Sequence, residues 1–246
     1  MMRPSRRKVV AGLSASAAAS LLPGAAASEK KAVDVLLVLA VDVSRSIDED
    51  EARLQRQGYR NALSDPRVIQ AIQSGTLGAI GLAYTEWASA DYQRLVIPWT
   101  YIDGPEAARA WVTALEQAPR VSMNWTSISG AIEHAMRVLE AAPFEGTRRV
   151  IDISGDGVNN SGAPVTLLRD LAVEAGITIN GLPILNDRSP FGRPPSMPLD
   201  QYFEEFVIGG PGAFIIPADD FESFQNAVLR KLIREISTAP DPRILG

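Results

Sequence analysis

From Val35 to Val41 the chain reads Val-Leu-Leu-Val-Leu-Ala-Val, with no polar break. A second apolar run, Val150-Ile151-Asp152-Ile153, is broken only by one acid. Such runs, bounded by polar turns, are the pattern of strands buried on both faces of a parallel sheet. After residue 33, strand-like and helix-like segments alternate. That alternation predicts an α/β fold, doubly wound, with a mostly parallel central sheet and helices on both faces. The first strand is predicted at about 34–42. Asp48 and Glu51 have capping-box spacing and start a helix that Asp65-Pro66 ends near Leu63. Leu77–Thr85 and Gln93–Tyr101 read as two strands. The link between them, Glu86 to Tyr92, is too short for a helical crossover, so the pair is predicted antiparallel.

Pro105 starts a helix that ends before Pro119. The helix from Thr126 to about Ala142 has the clearest periodicity, with Ile128, Ala131, Ile132, Ala135, Val138 and Leu139 on one face. A strand at 148–154 follows, then a helix from Pro164 to Ala175 closed by Gly176, then a strand from Ile177 to Leu185. Asn186 to Pro198 reads as a long loop, and long loops in compact domains are often functional. A short helix at about 199–208, a Gly-Gly-Pro-Gly turn and a last strand, Ala213 to Pro217, lead to a final helix. Asp219 and Glu222 are its expected caps, and Phe221, Phe224, Val228, Leu232 and Ile236 its inward face. The sequence has no internal repeat. One domain over 33–237 with a tail at 238–246 is expected.

Composition narrows the chemistry. The chain has 246 residues, 46% hydrophobic, which suits one full α/β core. It has no cysteine, which excludes disulfides, thiolate metal sites and cysteine nucleophiles. Its one histidine, His134, excludes a zinc site built from several imidazoles. The first 27 residues read as an export signal. Arg3, Arg6, Arg7 and Lys8 form a basic start, a weakly apolar stretch runs from Val9 to Leu22, and Ala25-Ala26-Ala27 supplies small residues for cleavage. Ser5-Arg6-Arg7-Lys8-Val9-Val10 resembles a twin-arginine signal. The stretch is too short and polar for a stable membrane span. The expected location is periplasmic or secreted. Cleavage leaves 20 Lys/Arg against 29 Asp/Glu, a net charge of −9. Such a surface repels phosphate backbones, so nucleic acid is not an expected partner.

Candidate chemistry gathers where strands end. Asp42 closes the first apolar run and opens Asp42-Val43-Ser44-Arg45-Ser46. Asp156 follows the second run in Ser154-Gly155-Asp156-Gly157. Thr126 stands at the start of the most periodic helix. In open α/β sheets, ligands bind at the carboxyl ends of the strands. Two acids and three hydroxyls are hard oxygen donors, which suit Mg2+, with Mn2+ or Ca2+ as alternatives. The set leaves a divalent ion under-neutralised, so the ion would accept one more carboxylate from outside. Taken singly, Ser46, Asp48 and Thr126 are ordinary helix caps and Asp156-Gly157 an ordinary turn.

The Asp-x-Ser-x-Ser stretch, the later Thr and the later Asp-Gly resemble the metal-ion-dependent adhesion site of von Willebrand factor type A domains. The order of strands and helices over 33–237 is similar to that fold, in which an edge strand is antiparallel. On this resemblance Ser44, Ser46 and Thr126 are metal-contacting hydroxyls, and Asp42 and Asp156 act directly or through water. Ser-Gly-Asp-Gly-Val-Asn-Asn and Val-Ile-Gly-Gly-Pro-Gly-Ala-Phe resemble a bacterial group of exported proteins of this type with no assigned function. The chain departs from the usual Thr-Asp-Gly or Ser-Asp-Gly in one place: Gly155 separates Ser154 from Asp156.

The expected function is an exported, metal-dependent protein-binding module that recognises an Asp or Glu of a protein or peptide. A metal-dependent hydrolase and an assembly domain with a degenerate site are the alternatives. Neither a Gly-x-Ser-x-Gly elbow nor a phosphate-binding glycine loop is present in the sequence. Trp87 and Trp125, expected in loops beside the site, and Arg188 and Phe191 of the 186–198 loop are candidate partner contacts. Asp152 is expected to be a structural acid within its strand. His134 is expected at the surface or boundary of its helix.

Overall fold

The computed structural model describes residues 30–185 and 197–237. The export signal, Arg188, Phe191 and the 238–246 tail lie outside the described residues. The elements run β1 (Lys31–Asp42), α1 (Glu49–Ser64), α2 (Pro66–Gln73), β2 (Ile80–Trp87), β3 (Gln93–Ile102), α3 (Pro105–Gln117), α4 (Ile128–Glu140), β4 (Phe144–Gly155), α5 (Val165–Glu174), β5 (Thr178–Pro183), α6 (Leu199–Tyr202) and α7 (Phe224–Ile236). A π-helical turn, Phe203–Val207, continues α6. The strands form one sheet in the order β3-β2-β1-β4-β5. All neighbours are parallel except β2 and β3.

The apolar run of β1 is buried on both faces because β1 is the central strand. Its side chains alternate between two cores. Val35, Leu37, Leu39 and Val41 pack under the layer that includes α1, α2, α3 and α7. Leu36, Val38 and Ala40 face the layer of α4, α5 and the π-helical turn. Asp48 caps α1: it accepts from the Glu51 N–H while the Glu51 carboxylate accepts from the Asp48 N–H.

Asp65-Pro66 ends α1 at Ser64, as expected, and Pro66 at once starts α2, with Asp65 accepting from the Arg67 N–H. Proline fits the first helical turn because its missing N–H would be unpaired there anyway. Three other expectations change. Ser127, not Thr126, caps α4, with its hydroxyl accepting from Gly130. Ala213–Pro217 does not form a full strand. Its backbone pairs with β5 through one isolated bridge, Gly181 to Ile215. A second bridge, Ile184 to Ala218, lies just beyond both segments, and the Phe214 N–H donates to Asn180 Oδ1. The N-cap of α7 is Ser223, while Asp220 accepts from the Ser223 N–H.

Asp152 is a structural acid, as expected from the strand pattern, and its partner is far along the chain. Lys231 of α7 lies 2.7 Å from its Oδ1. The same ammonium pairs with Glu235, whose Oε1 also accepts from Asn180 of β5 at 2.9 Å. Lys231, Asp152 and Glu235 are 0%, 1% and 2% exposed. Two carboxylates thus share one ammonium in the core. Burial, and then the charge of Glu235, push Asp152 up to about 7.

The pH dependence follows in sign. The folded form holds the Asp152 proton up to about pH 7, whereas an unfolded Asp releases it near 4. This contribution to stability is present below about pH 4 and lost as pH rises through about 7. One extra proton on the folded state gives a slope of at most about 1.4 kcal/mol per pH unit. Asp152→Asn should remove this part of the fall, measured by urea unfolding from pH 5 to 8. Parallel wild-type and variant profiles would contradict the assignment.

Candidate metal centre

The carboxyl ends of β1 and β4 bring the site together. Asp42 is the last residue of β1 and is fully buried. Its Oδ1 accepts the Ser44 N–H at 2.7 Å, which turns the chain so that Ser44 and Ser46 face one way. Their hydroxyl oxygens are 2.9 Å apart. Ser46 Oγ donates to Asp156 Oδ1 at 2.7 Å, across 110 residues of sequence. Buried Gln55 of α1 donates to the Asp42 carbonyl at 3.2 Å and holds the end of the strand.

Gly155 is explained by close approach. A Cβ at this position would stand 3.0 Å from Asp42 Oδ2 and 3.4 Å from the Trp87 ring. A side chain here would crowd the carboxylate, so the additional residue between Ser154 and Asp156 has to be small. Thr126 comes from the third loop. Its Oγ1 lies 3.7 Å from the point where a Cβ of Gly157 would be, beside the Asp156-Gly157 turn. The structure therefore brings Asp42, Ser44, Ser46 and Asp156 into one hydrogen-bonded group, with Thr126 next to it.

Sequence reasoning missed the residues that hold Thr126. Asn160 Oδ1 accepts the Thr126 N–H at 2.8 Å, and the Asn160 N–H donates to the Thr126 carbonyl at 2.9 Å. Asn159 Oδ1 accepts the Ser129 N–H at 3.0 Å. The Asn-Asn pair after Asp156-Gly157-Val158 was the available signal. It clamps the loop before α4 onto the loop after β4.

Partner-contact candidates divide. Trp87 is at the end of β2 and 1% exposed, so it is core, not rim. The strand runs two residues further than its sequence pattern suggests and carries Trp87 inward. Trp125 is 62% exposed and has φ +70°. Among the described residues it is the only non-glycine with positive φ. That conformation costs about 1–2 kcal/mol for a residue with a Cβ. His134 is in the middle of α4 and half-buried, and burial pushes its pKa down.

The residues fit a hard divalent cation. Asp42 Oδ2 is buried and has no hydrogen-bond partner. Burial, and then the negative charge of Asp156, push the Asp42 carboxyl well above the usual carboxylate range, although the Ser44 amide and hydroxyl and, more weakly, the Asp156 amide pull the other way. A cation held by these acids would reverse both penalties. The donors are all oxygens, which excludes a soft-metal preference. Among the described residues no group of three or more His, Asp or Glu side chains gathers into a metal cluster. The site has two acids and is completed by hydroxyls.

Residues 32–240 match the model of a family described as protein of unknown function (DUF1194). The chain belongs to that family. None of the curated proteins matches the DUF1194 chain in sequence. Its fold is similar to that of the pilus adhesin SpaC from Lactobacillus rhamnosus GG, at 16% identity and TM-score 0.60, over 85% of this chain and 31% of that one. It is also similar to proximal thread matrix protein 1 from the mussel byssus, described with a zinc-occupied MIDAS motif. There the identity is 14% and the TM-score 0.57, over 82% of this chain and 46% of that one. A von Willebrand factor type A protein from Catenulispora acidiphila aligns at 13% identity and TM-score 0.55, over 83% and 42%. The DUF1194 chain thus spans less than half the length of each of these three proteins. At these identities the likeness establishes a von Willebrand A-type fold.

Proposed function

We propose that this chain is an exported protein-binding module that grips an Asp or Glu of a protein or peptide partner through a divalent cation, Mg2+ first. The observation that carries this reading is Asp42 Oδ2, buried without a hydrogen bond in the group that joins Asp42, Ser44, Ser46 and Asp156. When bound, the cation would supply positive charge and an open position for an outside carboxylate.

The chain's own residues do the rest. Asp42 and Asp156 supply the negative charge that holds the ion. Ser44, Ser46 and Thr126 offer neutral oxygens, which leave the ion short of charge and receptive to one more acid. The Asn159-Asn160 clamp fixes Thr126 against the Asp156 loop, so the donors are in place before a partner arrives. The adhesin and matrix protein of the same fold support an interaction role. The basic start from Arg3 to Lys8 and the Ala25-Ala26-Ala27 segment support export. Among the described residues no helix is long and apolar enough to cross a membrane.

Affinity capture from the cell envelope tests this. Wild-type protein with Mg2+ should retain a partner that chelator releases. Retention unaffected by chelator would eliminate the metal-bridged mechanism and favour the assembly-domain alternative.

A further inference from the structure

We propose that Trp125 and Met123 form an apolar shelf beside the cation site, and that the partner's acidic residue is flanked by a large apolar side chain that packs on this shelf. This rests on the metal-bridged reading above and specifies its partner as a short segment pairing Asp or Glu with Leu, Ile, Phe or Met.

Three observations converge on the shelf. First, Trp125 is 62% exposed and Met123 38%, whereas Trp87 and Trp111 are 1% exposed. An indole that served only folding would bury most of its surface, as those two do and as half-buried Trp99 does in part. Second, the Trp125 backbone is held at φ +70°. A bulky residue persists in that region only when its surroundings over-determine it, and such positions cluster at binding sites.

Third, the surroundings do over-determine it, and they are the loops of the cation site. On one side the Met123 N–H donates to the Val43 carbonyl at 3.3 Å, beside Ser44. Arg45, between the two site serines, donates to Asn124 Oδ1 at 3.3 Å. On the other side Asn160 holds both the N–H and the carbonyl of Thr126. Trp125 is thus fixed between two residues that are tied to the metal loops. The indole is held outward within one residue of a candidate cation ligand.

The occupant follows from the chemistry of the two neighbours. The acid-poor cation site selects a carboxylate. The indole and thioether beside it offer apolar area and ring contacts, and aromatic anchors of this kind commonly carry much of the energy of an interface. A carboxylate alone would leave the shelf wet. A carboxylate on an apolar arm would cover both.

Small carboxylates can serve as probes. Acetate offers the anchor alone, and 3-phenylpropionate offers the anchor with an apolar arm. With Mg2+ present, phenylpropionate should bind wild-type protein about tenfold more tightly than acetate, equivalent to one ring contact. It should also shift tryptophan emission to the blue, and Trp125→Gly should abolish that shift, because Trp87 and Trp111 are already buried and half-buried Trp99 is tied to the Val138 carbonyl. Chelator should abolish binding of both probes. Trp125→Gly should remove the preference but keep Mg2+ and acetate binding, and it should melt no lower than wild type because glycine adopts positive φ freely.

Equal binding of the two probes would overturn the shelf and leave the cation reading standing. A preference that survives in Trp125→Gly would also overturn it. Failure of both probes on protein that still takes up Mg2+ would overturn the shelf together with the carboxylate anchor. Absence of any Mg2+ response would remove the metal-bridged reading on which the shelf depends.

Discussion

In the Asp42→Asn variant, Mg2+ no longer raises the melting temperature, and the metal-free variant melts at or above metal-free wild type. Both halves follow from one carboxylate. Asp42 is fully buried, its Oδ2 has no hydrogen-bond partner, and Asp156 adds a second negative charge nearby. Without a cation this arrangement works against the fold. Asparagine keeps the Oδ1 that accepts from Ser44 and removes the charge. With a cation, wild type gains what the variant cannot. A ligand at a hundredfold its dissociation constant stabilises the folded state by about 2.7 kcal/mol. For a domain of this size that is a shift of roughly 5–10 °C. Thermal melts of both proteins, with chelator and across a Mg2+ titration, decide the matter. An equal Mg2+-induced shift in the two would refute this site. Ser44→Ala and Thr126→Ala should fall between the extremes, since each removes a neutral donor only.

Lys231→Met loses about 3–5 kcal/mol of stability at pH 8, the usual cost of stranding a buried charge by removing its partner. Lys231 is the ammonium that lies between Asp152 and Glu235, and all three side chains are buried. Removing it leaves two carboxylates facing each other, with Asn180 still bound to one of them. Methionine keeps most of the volume, so a cavity is not the cause of the loss. The deficit should shrink at pH 5, where protonation relieves the repulsion. It should also shrink at pH 8 when Asp152→Asn is added to Lys231→Met. Urea unfolding of the single and double variants at both pH values measures this. A Lys231→Met protein within about 1 kcal/mol of wild type at pH 8 would show that the ion cluster does not hold α7 to the sheet.

The sequence by itself determined the α/β class, the two-sided burial of β1 and the antiparallel pairing of β2 with β3. Continuous apolar runs, capping pairs and short links are local signals, and local chemistry is enough to fix them. It also determined which five residues to watch, because Asp42 and Asp156 each follow a buried strand and Thr126 precedes the most amphipathic helix. Local signals misled where a neighbour distant in sequence decides the outcome. Trp87 reads as a loop residue until β1 and β3 extend β2 around it. Ala213–Pro217 reads as a strand, but its backbone pairs with β5 through an isolated bridge and not a ladder.

Tertiary structure alone decided the rest. It set the approach of Ser46 to Asp156 across 110 residues. It made Gly155 necessary by passing β4 close to the Asp42 carboxylate. It gave Asp152 its partner from α7, and it held Trp125 outward in a strained conformation between two anchored loops. Burial and long-range contact create these features: an unpaired carboxylate oxygen, a shared ammonium and a backbone forced to positive φ exist only once distant segments enclose them.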